Sequence, residues 1–336
     1  MYDAISDAIH DAIVVGGGPA GLSAALVLGR AARRVVLFDD DVPRNAKARS
    51  VHCFVGHDGI EPRALRQRAE AEIARYGVQV ARARVQKAQA GDSGQREFPT
   101  QFCVCTREGQ QAIGRKLLIA TGVRDELPDI PGLLECYGIS VHHCPYCDAW
   151  EHRDQPLFVI GHDPEEAVGL ALSLRTWSGE VTLLGNAMPI EKKDVDRLRG
   201  QGINWREGRV ERIVHDGGKL QFVELADGRR LPGKALFFAG QQHQASELAR
   251  QLGCRLDNEK HAVSGNKQRT PVPGLFLAGD VDGDVQFAIV AAAEGAIAAV
   301  ALNRELQEED RNLDRRRAPD GEARHRGATH EPADRR

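Results

Sequence analysis

Gly16-Gly17-Gly18-Pro19-Ala20-Gly21 follows the apolar run Ala12 to Val15 and leads into an Ala- and Leu-rich stretch reaching Leu28. A second apolar run, Arg34 to Phe38, then ends on Asp39-Asp40-Asp41. The order is strand, glycine turn, helix, strand, acid. In that context the spacing Gly16-x-Gly18-x-x-Gly21 predicts a βαβ unit that binds a dinucleotide. Gly16 permits the tight turn. Gly18 lets backbone N–H groups close on a pyrophosphate at the helix N-terminus, and Gly21 lets helix and strand pack closely. An acid at Asp39 can accept ribose hydroxyls, with a solvated Asp turn as the competing reading. A βαβ unit with glycine turns and no ligand is the bland alternative to the whole motif.

The same pattern recurs. Pro156 to Gly161 reads as a strand, Glu165 to Arg175 as a helix and Val181 to Gly185 as a strand. This copy is degraded as a ligand loop. Gly161-His162-Asp163-Pro164-Glu165-Glu166 puts Asp163 and Glu166 where the second and third glycines belong, and carboxylates there repel a pyrophosphate. After Gly185-Asn186 there is no Arg or Lys until Lys192, so the basic group that grips a 2′-phosphate is missing. Lys192 and Lys193 read as a charged loop. The fold class is therefore α/β, with two Rossmann-like three-layer domains.

Between and after these units, Arg63 to Tyr76 reads as a helix and Val78 to Val85 as a strand. Residues 86–120 read as a small antiparallel meander, with Cys103 and Cys105 packing on one strand face. Gly208 to Phe238 reads as a second meander, and Gly240 to His243 as a return crossing. Leu275 to Asp280 is a buried strand ending in glycine and acid, and Phe287 to Val300 an Ala-rich helix. From 306 to 336 the polar, Arg- and Asp-rich composition predicts a disordered tail.

Cys144-Pro145-Tyr146-Cys147-Asp148 carries the second strong signal. A CxxC pair can cycle between dithiol and disulfide, hold half of a zinc site, anchor haem, or do nothing. Haem attachment wants His after the second Cys, and Asp148 is there instead. Zinc stays open, because Cys103, Cys105, His142 and His143 are available as further ligands. The lead reading is a redox pair. Cys53 reads as a small buried hydrophobe, His142 and His143 as solvated loop residues, and Trp150 as packing. With 336 residues the chain has room for two domains, and a formal charge of -3 gives no reason to invoke nucleic acid or an anionic membrane. Seven cysteines are too few for a disulfide scaffold, no signal peptide opens the chain, and no apolar run spans a bilayer. A cytoplasmic enzyme is expected.

With Gly16 to Gly21, Ala120-Thr121-Gly122, Cys144 to Asp148, Gly161 and Ala278-Gly279-Asp280 in this order, the chain resembles the low-molecular-weight thioredoxin reductases over about residues 10–305. Pro43-Arg44-Asn45, the CxxC stretch and Val285-Gln286 look closer to a branch that includes fungal dithiol oxidases and bacterial relatives. The family's usual Arg-Gln-Ala is here Gln286-Phe287-Ala288. The resemblance implies an FAD domain at 1–122 and 245–305, interrupted by a pyridine-nucleotide-type domain at 123–244 that carries the thiols. It implies FAD along Gly16, Gly18, Pro19, Ala20 and Gly21, with Asp39 on its ribose. Asn45, Thr121 and Gly122 are further implied contacts, Asp280 lies near the ribityl chain and Gln286 near the isoalloxazine. Asp280 and Gln286 read alternatively as helix caps. Cys147 is implied as the flavin-facing thiol, Cys144 as the interchange thiol and Asp148 as the acid–base residue, with a helix N-cap the alternative for Asp148. The resemblance implies a reductase that passes electrons from NADPH or NADH through FAD and Cys147/Cys144 to a disulfide; the degraded second loop leaves the choice of nucleotide open and keeps as alternatives a dithiol oxidase with oxygen as acceptor and a reductase fed by a non-nucleotide donor. A thioredoxin-like protein or a small disulfide or dithiol is the implied partner, and a homodimer the implied assembly.

Overall fold

The computed structural model describes residues 8–91, 101–186, 188–257, 262–283 and 285–317. Its first sheet has seven strands. Gln79–Ala81, Val35–Phe38, His10–Val15, Gln111–Ile119, Gln101–Thr106 and Val85–Gly91 lie in that order, and Leu275–Leu277 also pairs with Gln111–Ile119. One strand therefore comes from late in the chain.

Gln111–Ile119 has two halves. Its start alternates exposed and buried residues and pairs antiparallel with Gln101–Thr106. Its end is continuously buried and runs parallel between His10–Val15 and Leu275–Leu277. Continuous burial is what a strand covered on both faces requires. The expected meander is thus the antiparallel wing of the first sheet. The strand expected over Val78 to Val85 is broken after Ala81, where the Ala83 amide turns back to the Ala81 carbonyl.

Helix Pro19–Arg30 packs under this sheet beside the long helix Ala288–Arg317. Ala20, Ala24, Ala25 and Leu28 bury the inner face of the first helix. A Cβ on Gly295 of the long helix would stand 2.0 Å from the Ala20 carbonyl oxygen, so only glycine allows this approach.

The second sheet is parallel, in the order Asn204–Arg206, Val181–Leu184, Leu157–Gly161, Ala235–Ala239, Val141–His142. A three-stranded antiparallel sheet, Val210–Asp216, Lys219–Leu225 and Arg230–Pro232, covers one face. Helices Pro164–Leu174 and Lys192–Gly200 cover the other. The chain crosses between the two sheets through Val123–Asp125 and Gln242–Gln244, which pair with each other antiparallel.

The polar stretch after 305 is not a tail at its start. It continues the last helix to Arg317. Arg115 and Lys116 explain why. Their side chains are 7% and 8% exposed, Arg115 bonds Glu309, Asp310 and Asp11, and Lys116 bonds Glu305 and Glu309. Arg33 takes Asp310 as well, and Arg269 takes Glu305. Residues beyond 317 lie outside the described residues. A chain stopped after Arg317 should keep the full unfolding midpoint. One stopped after Leu306 takes Glu309 and Asp310 from Arg115 and Glu309 from Lys116, and should lose about 3 kcal/mol in chemical denaturation.

Candidate active site

The strands His10–Val15, Val35–Phe38, Gln111–Ile119 and Leu275–Leu277 end in register on one edge of the first sheet. Ligands of open α/β sheets bind outside such carboxyl ends. Gly16 has φ +118° there, and a Cβ on it would sit 2.1 Å from the Ala120 carbonyl oxygen. A Cβ on Gly18 would meet nothing within 4 Å. The helix that begins at Pro19 and Ala20 has no side-chain cap and no acid in its first turn. Its N–H groups thus face an open, uncharged cradle, which fits a pyrophosphate.

Asp39 is brought to this cradle, since a Cβ on Gly17 would lie 2.3 Å from its Cγ. Its carboxylate already has partners. Arg66 and Arg82 donate to Oδ2, and the Asp41 amide donates to Oδ1. Neither arginine was singled out in the sequence, because residues 66 and 82 carry no motif.

Arg44 joins most of the remaining residues. Its guanidinium donates to both oxygens of Asp125, at 2.5 and 2.9 Å, to Asp280 at 2.9 Å and to Gln286 at 2.7 Å. Gln286 and Gln242 exchange amide hydrogen bonds of 3.0 and 2.6 Å, and Gln242 also donates to Asp125. Tyr137 donates to Asp125 as well. The side chains of Asp280 and Gln286 are thus engaged with Arg44 and Gln242. Burial works to raise the Asp125 pKa, but the Arg44 hydrogen bond, nearby His143 and the Tyr137 hydroxyl outweigh it and bring it to about 2. Asn45 lies on the same turn, its carbonyl accepting the Ala48 amide. Thr121 Oγ1 meets Ser246 Oγ at 3.0 Å, and the Gly122 carbonyl accepts the Ala245 amide.

Cys144 and Cys147 are joined as a disulfide at the start of the short helix Pro145–Asp148. Pro145 fits the first helical position, where no N–H partner is needed. Cys144 is the N-cap and Asp148 the last helical residue, so Asp148 does not cap this helix. The Tyr146 ring packs edge-on against Trp177 at 5.4 Å and Phe287 at 6.2 Å. Tyr146, between the two cysteines, therefore packs against the residue next to Gln286. Among the described residues no three His, Cys, Asp or Glu side chains are grouped to hold a metal ion.

Three expectations fail here. Cys53 is exposed rather than buried, with φ 60° and its Sγ 3.6 Å from the Tyr146 carbonyl oxygen. The Val51–Ile60 loop holds it outward, its amide donating to Asp58 Oδ1. His142 is 5% exposed, not solvated, because it ends a strand of the second sheet and packs on Phe237. Trp150 is 61% exposed and stacks under the Arg153 guanidinium instead of entering the core.

In the second sheet the loop after Leu157–Gly161 is closed by its own chain. Asp163 Oδ1 accepts the Glu166 amide at 3.0 Å and caps helix Pro164–Leu174, with Glu165 and Glu166 in the first turn. Arg175 donates to the Ser178 carbonyl, and Lys193 pairs with Glu191 in solvent. Asn186 accepts the Val210 amide.

The chain matches the pyridine nucleotide-disulphide oxidoreductase family over residues 10–295. It belongs to that family. A probable thioredoxin reductase of Arthroderma benhamiae is 32% identical, aligning 89% of this chain and 81% of its own. The crystal structure of HlmI superposes with a TM-score of 0.88 at 35% identity, covering 94% and 98% of the two chains. A putative thioredoxin reductase TrxB from Bacillus anthracis gives 0.83 at 30% identity, covering 90% and 99%. This member is thus an FAD-binding, thioredoxin-reductase-like thiol–disulfide oxidoreductase with a redox-active Cys pair.

Arg44 stood in a quoted motif without a role, and Gln242 and Asp125 were given none, so their joint network was not foreseen. The only signal was Arg44 in a short turn beside Asn45. Replacing Arg44 by Met leaves Asp125 buried without its countercharge and should cost about 3 kcal/mol at pH 7. In the parent protein the depressed Asp125 pKa contributes stability that is fully present above its ordinary 3.8 and is lost as pH falls through about 2. Denaturation at stepped pH should show this loss, about 2 kcal/mol, in the parent and much less of it in Arg44→Met.

Proposed function

We propose that this protein carries out FAD-dependent thiol–disulfide exchange, with Cys144 meeting the external sulfur, Cys147 facing the flavin and Asp148 serving as acid and base. The observation that supports this most directly is the contact between Tyr146, inside the redox pair, and Phe287, next to Gln286. It brings the disulfide to the segment that the resemblance assigns to the isoalloxazine. Bound FAD would supply a two-electron acceptor or donor. Residues 1–122 and 245–305 hold it, through Gly16, Gly18, Pro19, Ala20 and Gly21 at the pyrophosphate, and 123–244 carries the thiols. Asp39 would accept from the ribose hydroxyls while Arg66 and Arg82 hold its carboxylate in place. Asn45, Thr121, Gly122, Asp280 and Gln286 surround the rest.

Exchange needs one accessible sulfur and one resolving partner. Cys144 at the helix start provides the first and Cys147 the second. Attack of an outside thiolate on Cys144 forms a mixed disulfide, breaks the Cys144–Cys147 bond and leaves the electron pair on Cys147. The reverse sequence reduces an outside disulfide. A thioredoxin-like protein is the partner suggested by the names of the relatives, and a homodimer the assembly.

A second reading concerns the electron donor and rests on Asp163. A helix N-terminus that caps itself with one carboxylate and carries two more has no place for a pyrophosphate. Electrons then come from a substrate dithiol, which leaves as a disulfide, and dioxygen is the acceptor. This is the chemistry of the dithiol oxidases whose Pro-Arg-Asn and Cys-Pro-Tyr-Cys-Asp stretches the chain resembles.

Anaerobic mixing separates the two directions. Bleaching of the flavin by a dithiol, with neither NADPH nor NADH bleaching it, is the expected outcome. Rapid bleaching by either nucleotide would sink the second reading. Cys147→Ser should stay yellow and lose exchange, because cradle and pair lie on different sheets. A colourless but folded Cys147→Ser protein counts against the site as assigned.

A further inference from the structure

Three titratable side chains stand in line beside the redox pair. His142 Nδ1 lies 3.2 Å from Asp148 Oδ1, and His142 Nε2 lies 3.2 Å from His152 Nε2. The middle ring is buried at 5% exposure, under Phe237. His152 is only partly buried, on the turn Trp150–His152. Among the described residues its one side-chain hydrogen bond is the Nε2 contact, and the residue is partly open to solvent. The row thus leads from Asp148 to water.

With His142 neutral, the hydrogen bonds fix which nitrogens carry protons. Burial works to raise the Asp148 pKa, but the His142 hydrogen bond and the His142, His143 and His152 rings outweigh it, so the carboxyl is ionised and only accepts. His142 must then donate from Nδ1, which leaves its Nε2 as an acceptor. His152 must donate from Nε2. Burial first, and His142 second, bring the His152 pKa down to about 4, so that ring is neutral and its Nδ1 is bare. The other charged groups near this row are Arg44 and Asp125, which face His143, and Glu151, which pairs with His52.

We infer that His142 and His152 form a proton relay between solvent and Asp148. The inference rests on Asp148 being the acid–base group of the exchange. Water gives a proton to His152 Nδ1, His152 passes its Nε2 proton to His142 Nε2, and His142 passes its Nδ1 proton to Asp148 Oδ1. The neutral acid then protonates the thiolate released when the Cys144–Cys147 bond breaks. No electrons move in these hops, and both rings end in the opposite tautomer. From those tautomers the hops run backwards when a proton has to leave.

His152→Gln tests this in the full-length FAD-loaded protein. The amide can still donate to His142 Nε2 but cannot relay a proton. Exchange between the reduced protein and an aromatic disulfide should fall roughly 10- to 100-fold at neutral pH. The deficit should shrink as pH rises, because the attacking thiol then ionises without help, while flavin absorbance and the unfolding midpoint stay put. Free imidazole should restore the rate of His152→Ala. An unchanged rate in His152→Gln, or a deficit independent of pH with no imidazole rescue, overturns the relay. Asp148→Asn keeps the two failures apart. If it exchanges normally, the acid–base assignment fails; if it is inactive while His152→Gln is normal, only the relay fails.

Discussion

A largely buried guanidinium where the two sheets meet organises the rest of the molecule. Arg44 has four oxygen partners, two on Asp125 and one each on Asp280 and Gln286, so it ties residue 125 to a stretch more than 150 positions later. Asp125 belongs to the crossing strand, Asp280 to the end of a strand of the first sheet and Gln286 to the approach of the last helix. A buried carboxylate is tolerated only when paired and hydrogen-bonded, and Asp125 has Arg44, Tyr137 and Gln242. The same cation therefore fixes both the path of the chain between sheets and the walls of the cradle.

The two βαβ units make a controlled comparison within one chain. Both place a helix N-terminus after a buried strand and a glycine. In the first, glycine caps the helix and no acid follows, so the backbone dipoles are left for an outside anion. In the second, Asp163 supplies the anion from within. One architecture thus serves as a ligand site and as a closed structural frame, and a few side chains make the difference.

Much of this could be read from the sequence, because it depends on neighbours in the chain. The glycine spacing, the alternating strands and the acids at 163, 165 and 166 act within a turn of themselves. What escaped depends on partners far away. The end of the last helix looked like a disordered tail because Glu305, Glu309 and Asp310 match Arg269, Lys116, Arg115 and Arg33, none of which is nearby in sequence. His142 looked solvated because nothing local announces that its strand forms an edge of the second sheet with Phe237 beside it. Cys53 looked buried because its residue type favours the interior. The backbone of a ten-residue loop decided otherwise.

Val123–Asp125 and Gln242–Gln244 deserve a mechanical description. A lone covalent tether lets one body swing, tilt and slide against another. Two tethers stitched together by backbone hydrogen bonds behave as a ribbon, stiff against stretching and shear and soft only to twisting about its own length. The second sheet and its disulfide are hung on such a ribbon. The ring contacts of Tyr146 and the fork of Arg44 hold it at one angle, and breaking them would free a rotation rather than a separation.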